Sequence, residues 1–115
     1  MKVYCYPKCT TCKKALKWLD EQGKEYELID IKEDNPSREV LKEAYEKSGL
    51  PLKRFFNTSG LKYKELKLKD RLPEMSEDEQ LELLATDGML VKRPLVIKDG
   101  VVLTGFKEAE WAEKL

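Results

Sequence analysis

The opening residues constrain the fold more than any other stretch. Lys2-Val3-Tyr4-Cys5 has strand character, Tyr6-Pro7-Lys8 breaks it, and the apolar positions Cys12, Ala15, Leu16 and Leu19 recur at helical spacing until Gly23 supplies a stop. Residues 26–31, rich in aliphatic and aromatic side chains, then read as a second strand. A strand, a helix and a strand of these lengths form a βαβ unit, whose strands lie parallel with a right-handed crossover. The chain is therefore expected to build an α/β sheet with its first helix packed on one face.

The last third supplies a complementary half. Residues 94–97 and 101–104 flank Lys98-Asp99-Gly100, whose Asp-Gly step is a strong hairpin signal, and an amphipathic helix bearing Ala109, Trp111, Ala112 and Leu115 follows Gly105. Between the halves the pattern turns helical. Ser37 caps a helix carrying Val40, Leu41, Ala44 and Tyr45, which ends near Ser48-Gly49. Pro51, Phe55-Phe56 and Asn57-Thr58-Ser59-Gly60 suggest a helical turn and a loop. Ser76 and Glu79 fit a capping box, and that helix buries some of Leu81, Leu83, Leu84 and Ala85 before Asp87-Gly88. The expected fold is thioredoxin-like (glutaredoxin-like): a mixed sheet flanked by helices, with a helical insertion at about residues 36–88 between the βαβ and ββα halves. Residues 1–115 form one domain, since a chain of this length buries a core without staples.

Composition narrows the chemistry. The 22 basic and 22 acidic residues balance, which argues against a global grip on nucleic acid. Their distribution is uneven: residues 53–71 hold seven basic and two acidic side chains, residues 74–87 six acidic and none basic. Solvated helical faces are the expected reading, a protein-docking surface the alternative. With no histidine, His-based acid–base catalysis, Ser-His-Asp triads and His–metal catalysis are excluded. Zinc would need ligands beyond Cys5, Cys9 and Cys12, so no metal is expected. The N-terminus reads as a strand with no secretory leader and no membrane segment, so a soluble, cytoplasmic protein is expected.

Cys9-Thr10-Thr11-Cys12 falls where the first strand gives way to the first helix. Unpaired amides and the positive end of the helix dipole favour a thiolate there, so Cys9 is expected to be the more acidic thiol, with Lys8, Lys13 and Lys14 adding charge. The two-residue spacing puts Cys12 within one turn, positioned to resolve a mixed disulfide at Cys9. Cys5 is expected as a buried core thiol, a second redox partner being the alternative. Arg93-Pro94 stands before the third strand, where thioredoxin-like folds commonly carry a cis proline facing the cysteines. Such a turn brings Arg93 near Cys9, to stabilise a thiolate or bind an oxyanion.

Tyr6-Pro7-Lys8-Cys9-Thr10-Thr11-Cys12-Lys13-Lys14 resembles the active-site loop of the arsenate reductase (ArsC) family, which includes glutaredoxin-linked arsenate reductases, Spx-type regulators and YffB-like proteins. Leu90-Val91-Lys92-Arg93-Pro94-Leu95-Val96-Ile97 resembles the second family signature. The likeness continues through Gly49-Leu50-Pro51, Phe55 to Gly60 and Gly105-Phe106-Lys107, and is strongest to the YffB-like branch. The resemblance implies that Cys9 is the nucleophile and Arg93 an oxyanion anchor, with Lys8, Thr10, Thr11 and Pro94 around the bound group. Two further family arginines correspond to Asn57 and Gly105, which implies weak arsenate turnover; Cys12 resembles the CxxC switch of the Spx type. The implied function is a thiol–disulfide oxidoreductase without a bound cofactor, using glutathione, glutaredoxin or another thiol donor on a disulfide or oxyanion substrate. The alternatives are an Spx-like redox-sensing regulator that binds RNA polymerase and a genuine arsenate reductase. A monomer is expected, with no direct contact to nucleic acid.

Overall fold

In the computed structural model, which describes residues 1–115, four short strands lie in the order β2-β1-β3-β4. The strands are β1 (Lys2–Cys5), β2 (Glu27–Asp30), β3 (Leu95–Lys98) and β4 (Val101–Thr104). β1 pairs parallel with β2 and antiparallel with β3, and β3 pairs antiparallel with β4. The parallel pair is the expected consequence of the crossover through α1 (Thr10–Glu21). The antiparallel pair is the expected product of the Asp99-Gly100 turn, where Gly100 takes φ +72°.

Side chains alternate across this sheet and divide the core. Val3, Cys5, Val96 and Leu103 face α1 and the closing helix α6 (Glu108–Lys114). There Trp111, fully buried, stacks edge-on to Trp18 at 6.1 Å and to Phe106 at 4.9 Å. Tyr4, Leu95 and Val102 face the opposite layer with Leu41, Phe55, Phe56, Leu68, Leu81 and Leu84. The sheet is thus the middle layer of three, and the fold is thioredoxin-like with its helical insertion on one side.

The insertion comprises α2 (Arg38–Ser48), α3 (Leu61–Glu65), α4 (Leu68–Arg71) and α5 (Glu77–Thr86), with 3-10 turns at Leu52–Phe55, Leu72–Glu74 and Gly88–Leu90. Its ends obey local chemistry. The Val40 amide donates to Ser37 Oγ at 3.2 Å, and Gly49 ends α2 at φ +69°. Ser76 and Glu79 close the reciprocal capping box at 3.0 and 3.1 Å. Part of the acidic run is used for fastening, because Asp78 binds Arg38 at 2.8 Å and Glu77 accepts from Tyr45 at 2.8 Å.

Two backbone bonds tie the insertion to the segment entering β3. Asn57 N donates to Leu90 O and Lys92 N to Phe55 O, each at 2.8 Å. Gly88 makes the adjoining turn possible: a Cβ there would lie 1.8 Å from the Ile31 carbonyl oxygen. The insertion is therefore held beside residues 90–93, a placement on which the site depends.

Candidate active site

Cys9 is the N-cap residue of α1, with extended backbone at φ −83° and ψ 119°. Its amide donates to Tyr6 O at 2.9 Å and its carbonyl accepts from Lys13 N at 3.1 Å, so both sides of the residue are fixed by backbone bonds. The helix begins at Thr10, earlier than its apolar periodicity, because the first turn of α1 faces solvent and carries no apolar signal. One turn further in, Cys12 is 1% exposed, and Cys5 on the neighbouring strand is 3% exposed. Cys9 alone is half-buried. All three thiols are free and form a file from the surface into the α1 layer.

Burial and mutual contact set the two inner thiols of this file apart from each other. The Cys12 thiol is held below its usual range. The main cause is the Cys5 thiol offered as a donor to its sulfur; burial opposes, and the Tyr6 backbone N–H, the Cys9 thiol and the Arg93 charge assist. Cys5 moves the opposite way, raised by holding its proton toward Cys12 and by burial. Of the two inner thiols, Cys12, one turn inside the helix, is the one whose thiolate is favoured.

Cys9 opens on a cleft of about 980 Å³ lined also by Thr11, Asn57, Arg93 and Gly105. Five cationic side chains reach it (Arg54, Lys62, Lys92, Arg93 and Lys107) against one carboxylate, Glu65. The Arg93–Pro94 peptide is cis. The Arg93 guanidinium lies 5.4 Å over the Tyr6 ring, donates from Nη1 to Met89 O at 3.3 Å, and has its Nε buried without a partner. Tyr6 and Met89 thus hold the guanidinium in place while leaving donors for an anion. Gly105 takes φ +74°, and a Cβ there would lie 3.2 Å from Lys92 Cε, so the lysine stem fills the space over the glycine.

Of the residues expected at the site, the cleft brings together Cys9, Thr11 and Arg93. Cys12 and Pro94 lie buried, while Lys8 and Thr10 are exposed outside the residues that line the cleft. Asn57 and Gly105, matched from the sequence to two family arginines, do line it. Sequence reasoning did not assign Arg54, Lys62 and Lys92 to the site. The basic run 53–71 signalled charge for two of them, but only the bonds joining Asn57 and Phe55 to residues 90–92 bring that charge to Cys9. The guanidinium count in the cleft is thus two, where the sequence pointed to one.

The comparisons with known proteins agree with this geometry. The protein YusI of Bacillus subtilis is 64% identical over 110 residues, covering 96% of this chain and 93% of that protein. The global transcriptional regulator Spx of Listeria innocua is 25% identical over 108 residues, covering 94% of this chain and 81% of the regulator. Among solved structures, an ArsC family related protein from Bacteroides fragilis superposes with a TM-score of 0.95 at 55% identity, covering 97% of this chain and 94% of that one. An arsenate reductase from Vibrio cholerae superposes with a TM-score of 0.86 at 31% identity, covering 100% and 98%. The profile of the ArsC family matches residues 4–114. With nearly its whole length matched, the chain belongs to the ArsC family.

Proposed function

We propose that this protein is a thiol–disulfide oxidoreductase in which Cys9 attacks and Cys12 resolves. The observation that carries this reading is the file of thiols in which only the outermost sulfur, Cys9, meets a cationic cleft. The chain has no histidine, and Cys12 supplies the missing base. The Cys12 thiolate takes the Cys9 proton, and the freed Cys9 thiolate attacks one sulfur of a disulfide RSSR. A Cys9–SR bond forms as RS⁻ leaves and collects the proton from Cys12. Cys12 then attacks the Cys9 sulfur, expels the second RS⁻ and closes a Cys9–Cys12 disulfide. Two thiols of glutathione or of a thiol-donor protein return it to the dithiol state. The cleft cations favour a substrate bearing carboxylates, such as a glutathione disulfide, and they stabilise the departing thiolate.

Arsenate is a poorer fit. Asn57 and Gly105 offer no guanidinium, so the cleft holds two forks, Arg54 and Arg93, with Lys92 and Lys107 supplying point charges only. The test is a disulfide-reduction assay with glutathione and glutaredoxin, run beside an arsenate assay on the same preparation. Disulfide turnover that exceeds arsenate turnover and vanishes in Cys9→Ser is expected; arsenate turnover at micromolar substrate matching the disulfide rate would overturn the reading.

A second reading has its own support. The regulator Spx is a relative, and Lys53, Lys62, Lys64, Lys67, Lys69 and Arg71 present an exposed basic face on the insertion. In that reading the Cys9–Cys12 pair is a switch governing a complex with RNA polymerase. Pull-down of RNA polymerase by one oxidation state and not the other would favour it, and equal absence from both would remove it.

A further inference from the structure

We infer that Cys5 and Cys12 form a second, internal dithiol, so that oxidation begun at Cys9 is passed inward and ends as a Cys5–Cys12 disulfide with Cys9 released. The inference rests on the proposed Cys9–Cys12 exchange and extends it by one step.

Three placements carry it. First, strand parity and helix phase aim the two thiols at each other. Cys5 shares the α1-facing side of β1 with Val3, and Cys12 shares the sheet-facing side of α1 with Ala15 and Leu19. Second, Cys12 lies one turn along α1 from Cys9 and belongs to the buried cluster that holds Cys5 and against which Cys9 packs. A sulfur so placed can be attacked from one side while it expels a sulfur on the other. Third, the buried pair borders a cavity. Cys5 and Cys12 jointly line a cavity of about 310 Å³ with Tyr6, Pro7, Leu16 and Leu28, and it shares no lining residue with the Cys9 cleft. Leu28, 55% exposed on the edge strand β2, is part of its wall.

The step conserves atoms and electrons. In the oxidised protein, Cys5 gives up its proton and its sulfur attacks Cys12 Sγ. The Cys5–Cys12 bond forms, the Cys9–Cys12 bond breaks, and Cys9 leaves as a thiolate that takes the proton. No electron is gained or lost in this exchange. The net reaction from the reduced protein is RSSR plus two protein thiols giving one protein disulfide and two RSH. The benefit is kinetic: Cys9 returns to the cleft as a nucleophile while the disulfide is held under α1.

Trypsin separates the alternatives in the native sequence. Cleavage after Lys2, Lys8 and Lys13 puts Cys5 in peptide 3–8 and both Cys9 and Cys12 in peptide 9–13. The full chain is oxidised with one equivalent of oxidised glutathione, quenched in acid, blocked with N-ethylmaleimide in denaturant, digested and mass-mapped. The expected major oxidised species is peptide 3–8 joined to peptide 9–13, with the maleimide on Cys9 located by fragmentation. In Cys5→Ala the same treatment is expected to give the internal loop of peptide 9–13 alone. Wild-type protein that yields only that loop, with Cys5 blocked by maleimide, would overturn the inference and leave the Cys9–Cys12 reading intact. Absence of any protein disulfide would overturn both.

Discussion

On one side of the turn spanning residues 6–12, Cys9 faces a cleft with five cationic side chains and one carboxylate. On the other, Cys5 and Cys12 back onto a smaller cavity walled by Tyr6, Pro7, Leu16 and Leu28, with Lys13 and Asp30 among its lining. The two sides have different tasks. The open side recruits an anionic substrate and tolerates a charged leaving group, because cations offset the charge as it appears. The closed side holds a thiolate that water barely reaches, stabilised by a thiol, a backbone N–H and Arg93. A dithiol site without histidine gains a base and a resolving group from one buried sulfur.

The largest expected effect breaks the open side altogether. Cys9→Ser should reduce disulfide turnover to the background rate, because a hydroxyl is not ionised at neutral pH. Arg93→Ala comes next: it removes the guanidinium that serves both sides, a charged contact worth about 1.5–3 kcal/mol, or roughly ten- to a hundredfold in kcat/KM. Arg93→Lys should recover part of that loss, since the ammonium keeps the charge but not the fork. Steady-state rates with a glutathione mixed disulfide measure both variants.

The pH profile probes the closed side. Cys12, held below the usual thiol range, gains a proton as pH falls and no longer receives the Cys9 proton, so alkylation of Cys9 by iodoacetamide should slow about tenfold per pH unit on the acid side of the Cys12 titration. Above it, Cys12 is a thiolate and the rate should level off. Mapping the alkylated peptide against pH checks this; a profile flat from pH 5 to 8 would remove Cys12 from the base role.

Smaller effects sharpen the contrast. Asn57→Arg adds a forked donor to the open side and should raise arsenate turnover by about tenfold, the worth of one charge-assisted contact, with a smaller gain in disulfide turnover. Ser76→Ala removes the α5 cap far from both sides and should cost about 0.5–2 kcal/mol of stability in urea unfolding, with redox rates unchanged.

How much of this was legible beforehand follows from the range of each interaction. The Ser37 and Ser76 caps, the Asp99-Gly100 hairpin and the strand-to-helix placement of Cys9 are set within a few residues, and sequence exposes them. The segment 61–75 was not legible. Its lysines alternate with leucines and fit neither period, and the break between α3 and α4 rests on Lys67 in the left-handed region at φ +53°, an uncommon state for a non-glycine residue. Arg54 and Lys62 are far from Cys9 in sequence, and only the tie between Asn57 and Leu90 brings their charge to it. Burial of Cys5 could be foreseen from its strand. Its confrontation with Cys12 required the phase of α1 on the sheet, which no local signal contains.

The central claim is that the outer sulfur attacks and the inner one resolves, and a trapping experiment tests it most directly. Cys12→Ala and wild-type protein are each mixed with one equivalent of oxidised glutathione at pH 7 and read by intact mass and peptide mapping. The account predicts a glutathione adduct on Cys9 that persists in Cys12→Ala and is absent from wild type, where the adduct is resolved to a protein disulfide. A persistent adduct on wild-type Cys9, or glutathione carried by Cys12 with Cys9 free, would contradict it.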